Sequence, residues 1–254
     1  MKIDVLGCSG GIGKDLKTTT FCVDDSLVID PGTGLELMEL DQMLAIRGIV
    51  ITHAHLDHII GLPLMLATIF DQHQHSIPVY ALPDVIDALK THIFNWTVWP
   101  DYTQLPKDKP IIELHTLMPG DQITLEGKTI TMLPAVHPTP TAGYLLDDGQ
   151  TRFAFTGDTG CNDALWPILN QHQPDLLIID VSFTDDVSEL ARLSGHLTPS
   201  QLADQLSQFE HPAKIRITHM KPGFEEQIVE RCQDLLPDWA LDRLHQGEVI
   251  HLIP

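Results

Sequence analysis

The run Thr52-His53-Ala54-His55-Leu56-Asp57-His58 constrains this chain more than any other feature of its sequence. It follows an apolar, β-branched segment that is typical of a buried strand, and it leads into a segment typical of a helix. Residues i and i+2 point the same way at the end of a strand, so His53 and His55 can converge on one metal ion. Asp57 and His58 lie where the chain turns into the helix, and they face a second point nearby. Imidazole and carboxylate groups are ligands that zinc and similar ions prefer, so the run predicts half of a two-metal site rather than a solvated loop.

Three further candidate ligands, His137, Asp158 and His219, each follow a predicted strand. Each is weak evidence alone, because a histidine at a strand end is more often a satisfied polar residue and Gly-Asp-Thr is usually a turn. Together they supply what the first cluster lacks: a third histidine for each ion and one carboxylate that can bridge.

Short strands, turns and helices follow one another along the whole chain, with no internal repeat, low-complexity tract or hinge-like linker. We therefore expect one domain over residues 1–254. The expected fold class is α/β (α+β), with two sheets packed face to face and helices outside. Strands are predicted over residues 2–6, 20–23, 26–29, 48–52, 78–80, 111–117, 122–125, 129–135, 142–146, 152–156, 176–180, 214–218 and 248–252. Helices are predicted over residues 35–45, 56–70, 83–91, 164–171, 199–209 and 224–236.

Charge, cysteine and hydropathy patterns narrow the class of protein. A net charge of −20 disfavours a general nucleic-acid binder, because polyphosphate backbones are repelled at long range. The 4 cysteines occur singly, which predicts buried free thiols and a reducing cytoplasm. The apolar run over residues 59–70 is too short to span a bilayer, which takes about 20 residues, and the start lacks a signal-peptide pattern. We expect a cytoplasmic protein with no membrane partner.

The order and type of these residues resemble the metallo-β-lactamase superfamily, whose members also carry an early acidic residue that matches Asp30 here. The resemblance implies a four-layer αββα sandwich with the site at one edge, between the sheets. It implies a first metal ion held by His53, His55 and His137. It implies a second ion held by Asp57, His58 and His219, with Asp158 bridging the two. Asp30 would orient the histidine loop, or would simply form a turn or helix cap before Pro31.

Several segments are more specifically similar to class II 3′,5′-cyclic-nucleotide phosphodiesterases. They are residues 6–11, 55–62, 179–183, 194–199 and 217–222. That class usually has glutamate where this chain has Asp180, which is shorter by one methylene. If Asp180 orients His196, we expect the contact to be remade through the backbone or a water.

This resemblance implies a metal-dependent phosphodiesterase that hydrolyses cAMP or cGMP to the nucleoside 5′-monophosphate through a metal-bridging hydroxide. We expect His196 to protonate the leaving 3′ oxygen or to clamp the phosphate, with Asp180 favouring its imidazolium form. Asp57 is counted with these two as catalytic as well as metal-binding. A helix predicted to begin just after Thr198 would offer free N–H groups to an anion. Alternatively, His196 has no catalytic role and is simply part of the segment that leads into that helix.

Two other functions stay open at this point. One is another phosphodiesterase of the same fold, such as a nuclease resembling the tRNA 3′-end endonucleases. Those nucleases carry a basic arm between the third histidine and the bridging aspartate, whereas residues 138–152 here are short, nearly uncharged and suited to a hairpin. The other is a non-catalytic scaffold, which would typically have lost metal ligands.

We expect two divalent metal ions, zinc first, with manganese or iron as alternatives. The expected partner is a small-molecule cyclic nucleotide substrate, with no stable nucleic-acid partner. The chain could act alone or as a homodimer.

Overall fold

The computed structural model describes residues 1–253 and contains two seven-stranded β-sheets that face each other and carry helices on their outer faces. This is the four-layer αββα sandwich expected from the sequence. In chain order the strands are β1 (Lys2–Gly7), β2 (Thr20–Val23), β3 (Leu27–Ile29), β4 (Gly48–Val50), β5 (Ile77–Ala81), β6 (Ile112–Thr116), β7 (Gln122–Leu125), β8 (Lys128–Pro134), β9 (Ala142–Asp147), β10 (Arg152–Phe155), β11 (Leu176–Asp180), β12 (Lys214–Thr218), β13 (Leu241–Arg243) and β14 (Val249–His251).

The helices of the two outer layers are short. They are α1 (Leu40–Ala45), α2 (Leu56–Ile59), α3 (Gly61–Ile69), α4 (Pro83–Ala88), α5 (Leu165–His172), α6 (Ser188–Ser194), α7 (Pro199–Leu206) and α8 (Glu225–Leu235). Two 3-10 turns, Thr33–Leu37 and Asp185–Val187, precede α1 and α6, and a π-helical turn, Leu89–Ile93, continues α4.

The order of strands brings the candidate ligands to one edge. The first sheet has the order β14-β1-β2-β3-β4-β5-β6, and β3 to β6 run parallel. The second sheet has the order β13-β12-β11-β10-β9-β8-β7, and β10 to β13 run parallel. The candidate ligands follow β4, β8, β10 and β12. Because neighbouring parallel strands end at the same edge of a sheet, residues far apart in the chain meet there.

Apolar side chains from both sheets form the core between them. Phe21 of β2 and Phe155 of β10 pack edge to face, with ring centroids 5.0 Å apart. The buried Tyr144 of β9 donates its hydroxyl to the Ile51 carbonyl at 2.8 Å, which joins the two sheets just before the histidine loop. A second apolar cluster lies between the second sheet and α5, α7 and α8.

Two predicted helices are interrupted. The prediction over residues 35–45 divides into a 3-10 turn and α1, because Glu39 and Gln42 form a capping box that starts a new helix. The prediction over 56–70 divides at Ile60, because the Gly61 N–H donates to the Pro31 carbonyl at 2.8 Å rather than to its own helix. A Cβ at Gly61 would lie 2.4 Å from the Gly32 carbonyl oxygen, so only glycine allows this approach.

Other features were not expected. The sequence did not predict α6, whose Leu190 and Leu193 are exposed and give no buried apolar face, or the three-residue β13. The expectation of four buried thiols holds for Cys22 and Cys232 but is wrong for Cys161, which is exposed on the loop after Asp158, and for Cys8, which is only half-buried. None of the helices formed by residues 1–253 is both long enough and apolar enough to cross a bilayer.

Candidate metal centre

Asp30 holds the histidine loop from inside the protein. Its side chain is fully buried directly after β3, with its backbone in the left-handed region at φ +53°. One carboxylate oxygen accepts the Thr52 backbone N–H, and the other accepts the Thr52 hydroxyl and His58 Nδ1–H, each at 2.7 Å. A non-glycine residue at positive φ is uncommon and needs support from its surroundings. These contacts are the ones that an orienting role for Asp30 requires.

His53, His55 and His137 bring three ring nitrogens together. His53 Nε2 lies 3.0 Å from His55 Nδ1, which lies 3.4 Å from His137 Nε2. His137 comes from the loop after β8, so the sandwich rather than the local chain creates this group. His53 is buried, whereas His55 is exposed at the start of α2, and the group therefore opens to solvent on one side.

Asp57, His58 and His219 form a second group beside the first. His219 Nε2 lies 3.2 Å from Asp57 Oδ2 and 3.4 Å from His58 Nε2. Asp158 lies between the groups, because its Oδ2 is 3.4 Å from the Nε2 atoms of His58 and His219 and 3.6 Å from His53 Nε2. All seven side chains predicted as metal ligands thus meet at one place, with Asp158 where a shared ligand would lie.

The glycine-containing loop at residues 6–11 supports His219. The backbone of His219 is in the left-handed region at φ +63°, and its N–H donates to the Cys8 carbonyl at 2.9 Å. A Cβ at Gly10 would lie 2.2 Å from the His219 carbonyl oxygen, so glycine is required for this loop to pack against the histidine.

The three histidines of the first group favour their neutral form. Burial lowers the pKa of His53 well below its usual range, and burial together with the neighbouring histidines also lowers the pKa of His55. Burial lowers the pKa of His137 as well. Neutral imidazole is the form that binds a metal ion.

The second group favours a positive charge. Burial opposes the imidazolium of His58, but the charges of Asp158 and Asp30 outweigh it and raise the pKa of His58 well above its usual range. Burial also opposes ionisation of Asp158, but the imidazoles of His219 and His58 lower its pKa well below the usual range. The electrostatic potential around Asp158 and His58 therefore favours the binding of a cation.

The hydrogen bonds of the imidazoles show that the donor set fits divalent metal ions. Four of the five histidines hold Nδ1 against an acceptor behind the ring, which in the neutral form leaves Nε2 unprotonated and facing the centre. The pairs are His53 with the Thr52 hydroxyl (3.0 Å), His58 with Asp30 (2.7 Å), His137 with the Gly195 carbonyl (3.0 Å) and His219 with the Ser182 hydroxyl (3.0 Å). Imidazole nitrogens with ionised carboxylates suit zinc, manganese and iron.

Asp180 and His196 lie against this centre as a direct pair. His196 Nδ1 donates to Asp180 Oδ2 at 2.6 Å, so the expectation of a contact remade through the backbone or a water is wrong. The shorter side chain suffices because the Ser182 N–H donates to the Leu197 carbonyl at 3.1 Å, which draws the His196 segment onto the end of β11. The His196 ring stacks on that of His219 with centroids 5.2 Å apart. His196 also lies close enough to His137 and Asp158 for the three side chains to form a possible metal-binding group.

The start of α7 does not offer free N–H groups to an anion as expected. The predicted cap is present, with the Gln201 N–H donating to the Thr198 hydroxyl at 3.4 Å. The Ser200 N–H, however, donates to Asp185 Oδ1 at 2.9 Å, and Pro199 has no N–H. The Asp185 carboxylate therefore already occupies the position that a phosphate would need.

Sequence reasoning assigned no role to two hydroxyl residues of the centre, Thr52 and Ser182. Each is fully buried and contacts both a histidine of the centre and a buried carboxylate. Thr52 precedes the first histidine, which is a usable signal, but Ser182 lies 37 positions from His219, the predicted metal ligand that it contacts.

Comparison with known proteins agrees with this geometry. The model of the β-lactamase superfamily domain matches residues 26–235. A probable 3′,5′-cyclic-nucleotide phosphodiesterase of Yersinia pestis is 31% identical over 208 residues, which cover 72% of this chain and 59% of that protein. This chain thus spans little more than half the length of that relative. Ribonuclease Z of Haloarcula marismortui is 21% identical, with 92% of this chain and 91% of that protein aligned.

A solved structure extends the likeness in fold to nearly the whole chain. The unliganded yeast phosphodiesterase PDE1 superposes with a TM-score of 0.84 at 19% identity, covering 99% of each chain. The family match over more than half of the chain, the paired sheets and the His and Asp clusters at their edge lead to the same conclusion. This chain belongs to the metallo-β-lactamase superfamily of hydrolases.

Proposed function

We propose that this protein is a 3′,5′-cyclic-nucleotide phosphodiesterase that works with two divalent metal ions, zinc first among them. His53, His55 and His137 would hold one ion, and Asp57, His58 and His219 the other. The observation that carries the proposal is the position of Asp158, whose Oδ2 lies within 3.4–3.6 Å of ring nitrogens from both groups. Two ligand groups that share a carboxylate are the arrangement of a two-metal phosphoesterase.

When bound, the ions would supply Lewis acidity to the phosphoryl oxygens and a water of lowered pKa. The protein's own contribution is a proton donor beside that centre. His196 is nearly buried, and its Nδ1–H is engaged by Asp180, so Nε2 is the nitrogen left to face a substrate. Burial disfavours the imidazolium, but Asp180 and Asp158 together raise the pKa of His196 above its usual value. His196 would donate a proton to the leaving 3′ oxygen or hold the phosphate.

Three observations favour a cyclic nucleotide over RNA. The curated relative with 31% identity is a probable cyclic-nucleotide phosphodiesterase. The residues between His137 and Asp158 form the antiparallel β9–β10 pair, which leaves no length for a basic arm. The net charge of −20 opposes the approach of a polyanion.

A nuclease acting on RNA ends is the second candidate. The ribonuclease Z relative supports it, because that alignment covers 91% of the relative's length, against 59% for the phosphodiesterase.

A product assay decides between these candidates. Metal-replete protein is incubated separately with cyclic AMP, cyclic GMP, bis(p-nitrophenyl) phosphate and an unprocessed tRNA. Selective formation of nucleoside 5′-monophosphate supports the proposal, and cleavage of the tRNA alone would replace it with the nuclease.

We further propose that residues 1–254 form one metallo-hydrolase domain, since side chains of both sheets pack in one core and meet in one site. The cytoplasmic location, the homodimer, and a small-molecule substrate without a stable nucleic-acid partner stay predictions. Size-exclusion chromatography with light scattering tests the assembly.

A further inference from the structure

Ser182 occupies a junction behind the second ligand group. It is fully buried just past the end of β11, and its hydroxyl oxygen lies 2.6 Å from Asp180 Oδ1 and 3.0 Å from His219 Nδ1. The same oxygen lies 2.8 Å from the His219 carbonyl oxygen and 3.2 Å from His196 Nδ1. One small side chain therefore contacts a proposed metal ligand and both members of the proposed proton-donating pair.

A count of hydrogens fixes the direction of these bonds. A serine hydroxyl has one proton to donate and two lone pairs that accept. The charged Asp180 carboxylate is both the nearest and the stronger acceptor, so the Ser182 proton goes to Asp180 Oδ1. His196 gives its Nδ1–H to the other oxygen of Asp180. The Ser182 oxygen is then left to accept Nδ1–H from His219, which in the neutral ring leaves His219 Nε2 as a lone pair.

The first ligand group contains the same chain of atoms, built from other residues. His53 Nδ1 lies 3.0 Å from the Thr52 hydroxyl, and that hydroxyl donates to Asp30 Oδ2 at 2.7 Å. Asp30 also holds a second imidazole, His58, as Asp180 holds His196. Each sheet thus supplies one buried carboxylate that binds one imidazole directly and another through a hydroxyl.

We infer that Ser182 is a positioning residue that fixes the Nδ1–H tautomer of His219 and so selects Nε2 as its metal-binding atom. The inference rests on the proposed two-metal site but not on the identity of the substrate. Hydrogen-bond partners of ligating histidines typically contribute 10- to 100-fold to metal affinity. Because Ser182 contacts only His219 among the proposed ligands, its effect falls on one of the two ions.

The test measures zinc binding by competition with a chromophoric chelator, which resolves two dissociation constants without any substrate. S182A is expected to weaken one of them about 10- to 100-fold and to leave the other within about threefold. The control is S76A. Ser76 precedes β5, at the edge of the sheet opposite the ligands, and its hydroxyl donates to the Pro110 carbonyl, so this variant also loses a serine hydrogen bond. S76A is expected to keep both constants.

A second measurement needs no variant of Ser182. In ¹⁵N-histidine-labelled wild-type protein loaded with zinc, His219 is expected to carry its proton on Nδ1 and to bind the ion through Nε2. In the zinc-loaded protein, a proton on Nε2 of His219 would overturn the inference even if S182A does not fold, and so would S182A with zinc affinities equal to those of wild type. A wild-type chain that binds no zinc would remove both this inference and the proposed function. Two bound ions without cyclic-nucleotide hydrolysis would remove only the latter.

Discussion

Replacing His196 with alanine is expected to lower kcat for cyclic-nucleotide hydrolysis about 10²–10⁴-fold while leaving the metal content unchanged. The physical reason is the leaving group, a ribose 3′ alkoxide, which departs far more easily when it is protonated as the bond breaks. His196 has one nitrogen bound to Asp180 and the other free, beside the centre where the candidate ligands meet.

The size of the effect follows from the role. A general acid contributes about 10²–10⁴ in rate, which equals about 3–5 kcal/mol of activation free energy. The substitution leaves Asp180 with two remaining donors, the Ser182 hydroxyl at 2.6 Å and the Thr159 N–H at 3.1 Å, so this buried carboxylate is not left without partners. We therefore expect a folded variant, and thermal unfolding monitored by circular dichroism checks this.

Two substrates separate proton donation from phosphate binding. A p-nitrophenolate group leaves without needing a proton, so H196A should hydrolyse bis(p-nitrophenyl) phosphate within about tenfold of wild type if His196 is the general acid. If His196 instead clamps the phosphate, both substrates lose activity together. The exposed His92 provides the control variant H92A, which should match wild type on both substrates.

Metal analysis completes the test, because His196 also forms a possible metal-binding group with His137 and Asp158. Loss of an ion from H196A would show that it is a ligand, and wild-type turnover of cyclic nucleotide would remove its catalytic role. Either result would refute the assignment.

Three further predictions concern the metal ions, the backbone and the thiols. Dialysis against a strong chelator should abolish activity and lower the melting temperature, because an ion that binds only the native state stabilises that state. Added zinc or manganese should restore both. Full activity after exhaustive chelation would contradict the proposed metal site. G195A should lower the free energy of unfolding by about 1–2 kcal/mol, because Gly195 has φ +69° and a Cβ there would lie 2.5 Å from Pro138 Cδ. An unchanged urea midpoint of unfolding would argue against this geometry. In the native protein only one thiol, that of Cys161, should react quickly with a disulfide reagent, and C161S should show no fast-reacting thiol. The reason is that burial raises the pKa of Cys8, Cys22 and Cys232 to about 12. Several fast-reacting thiols in C161S would contradict the fold.

The local arrangement of the histidine run could be predicted because it depends on neighbours in the chain. His53 and His55 follow a strand and point the same way, and Asp57 and His58 lie in the first turn of α2. Their spacing alone places four ligands within reach of two adjacent points.

Contacts between distant segments could not be predicted in the same way. Asp180 pairs with Thr218 in the register of β11 and β12, and this register brings Ser182 beside His219. A shift of one residue would turn the side chains of the shifted strand to the other face of the sheet and separate this pair. Two other contacts likewise depend on how loops pack, which the periodicity of the sequence does not show. They are the hydrogen bond from His196 to Asp180 and the one from the Ser200 N–H, at the start of α7, to Asp185.

The sequence by itself therefore determined the types of ligand, their positions at strand ends and the two-sheet class of fold, since these follow from side-chain chemistry and short-range periodicity. Only the tertiary structure decided which atoms of those ligands face one another. The closing of two sheets over one core sets these distances, and the buried hydroxyls and carboxylates behind each imidazole choose the nitrogen that is left free.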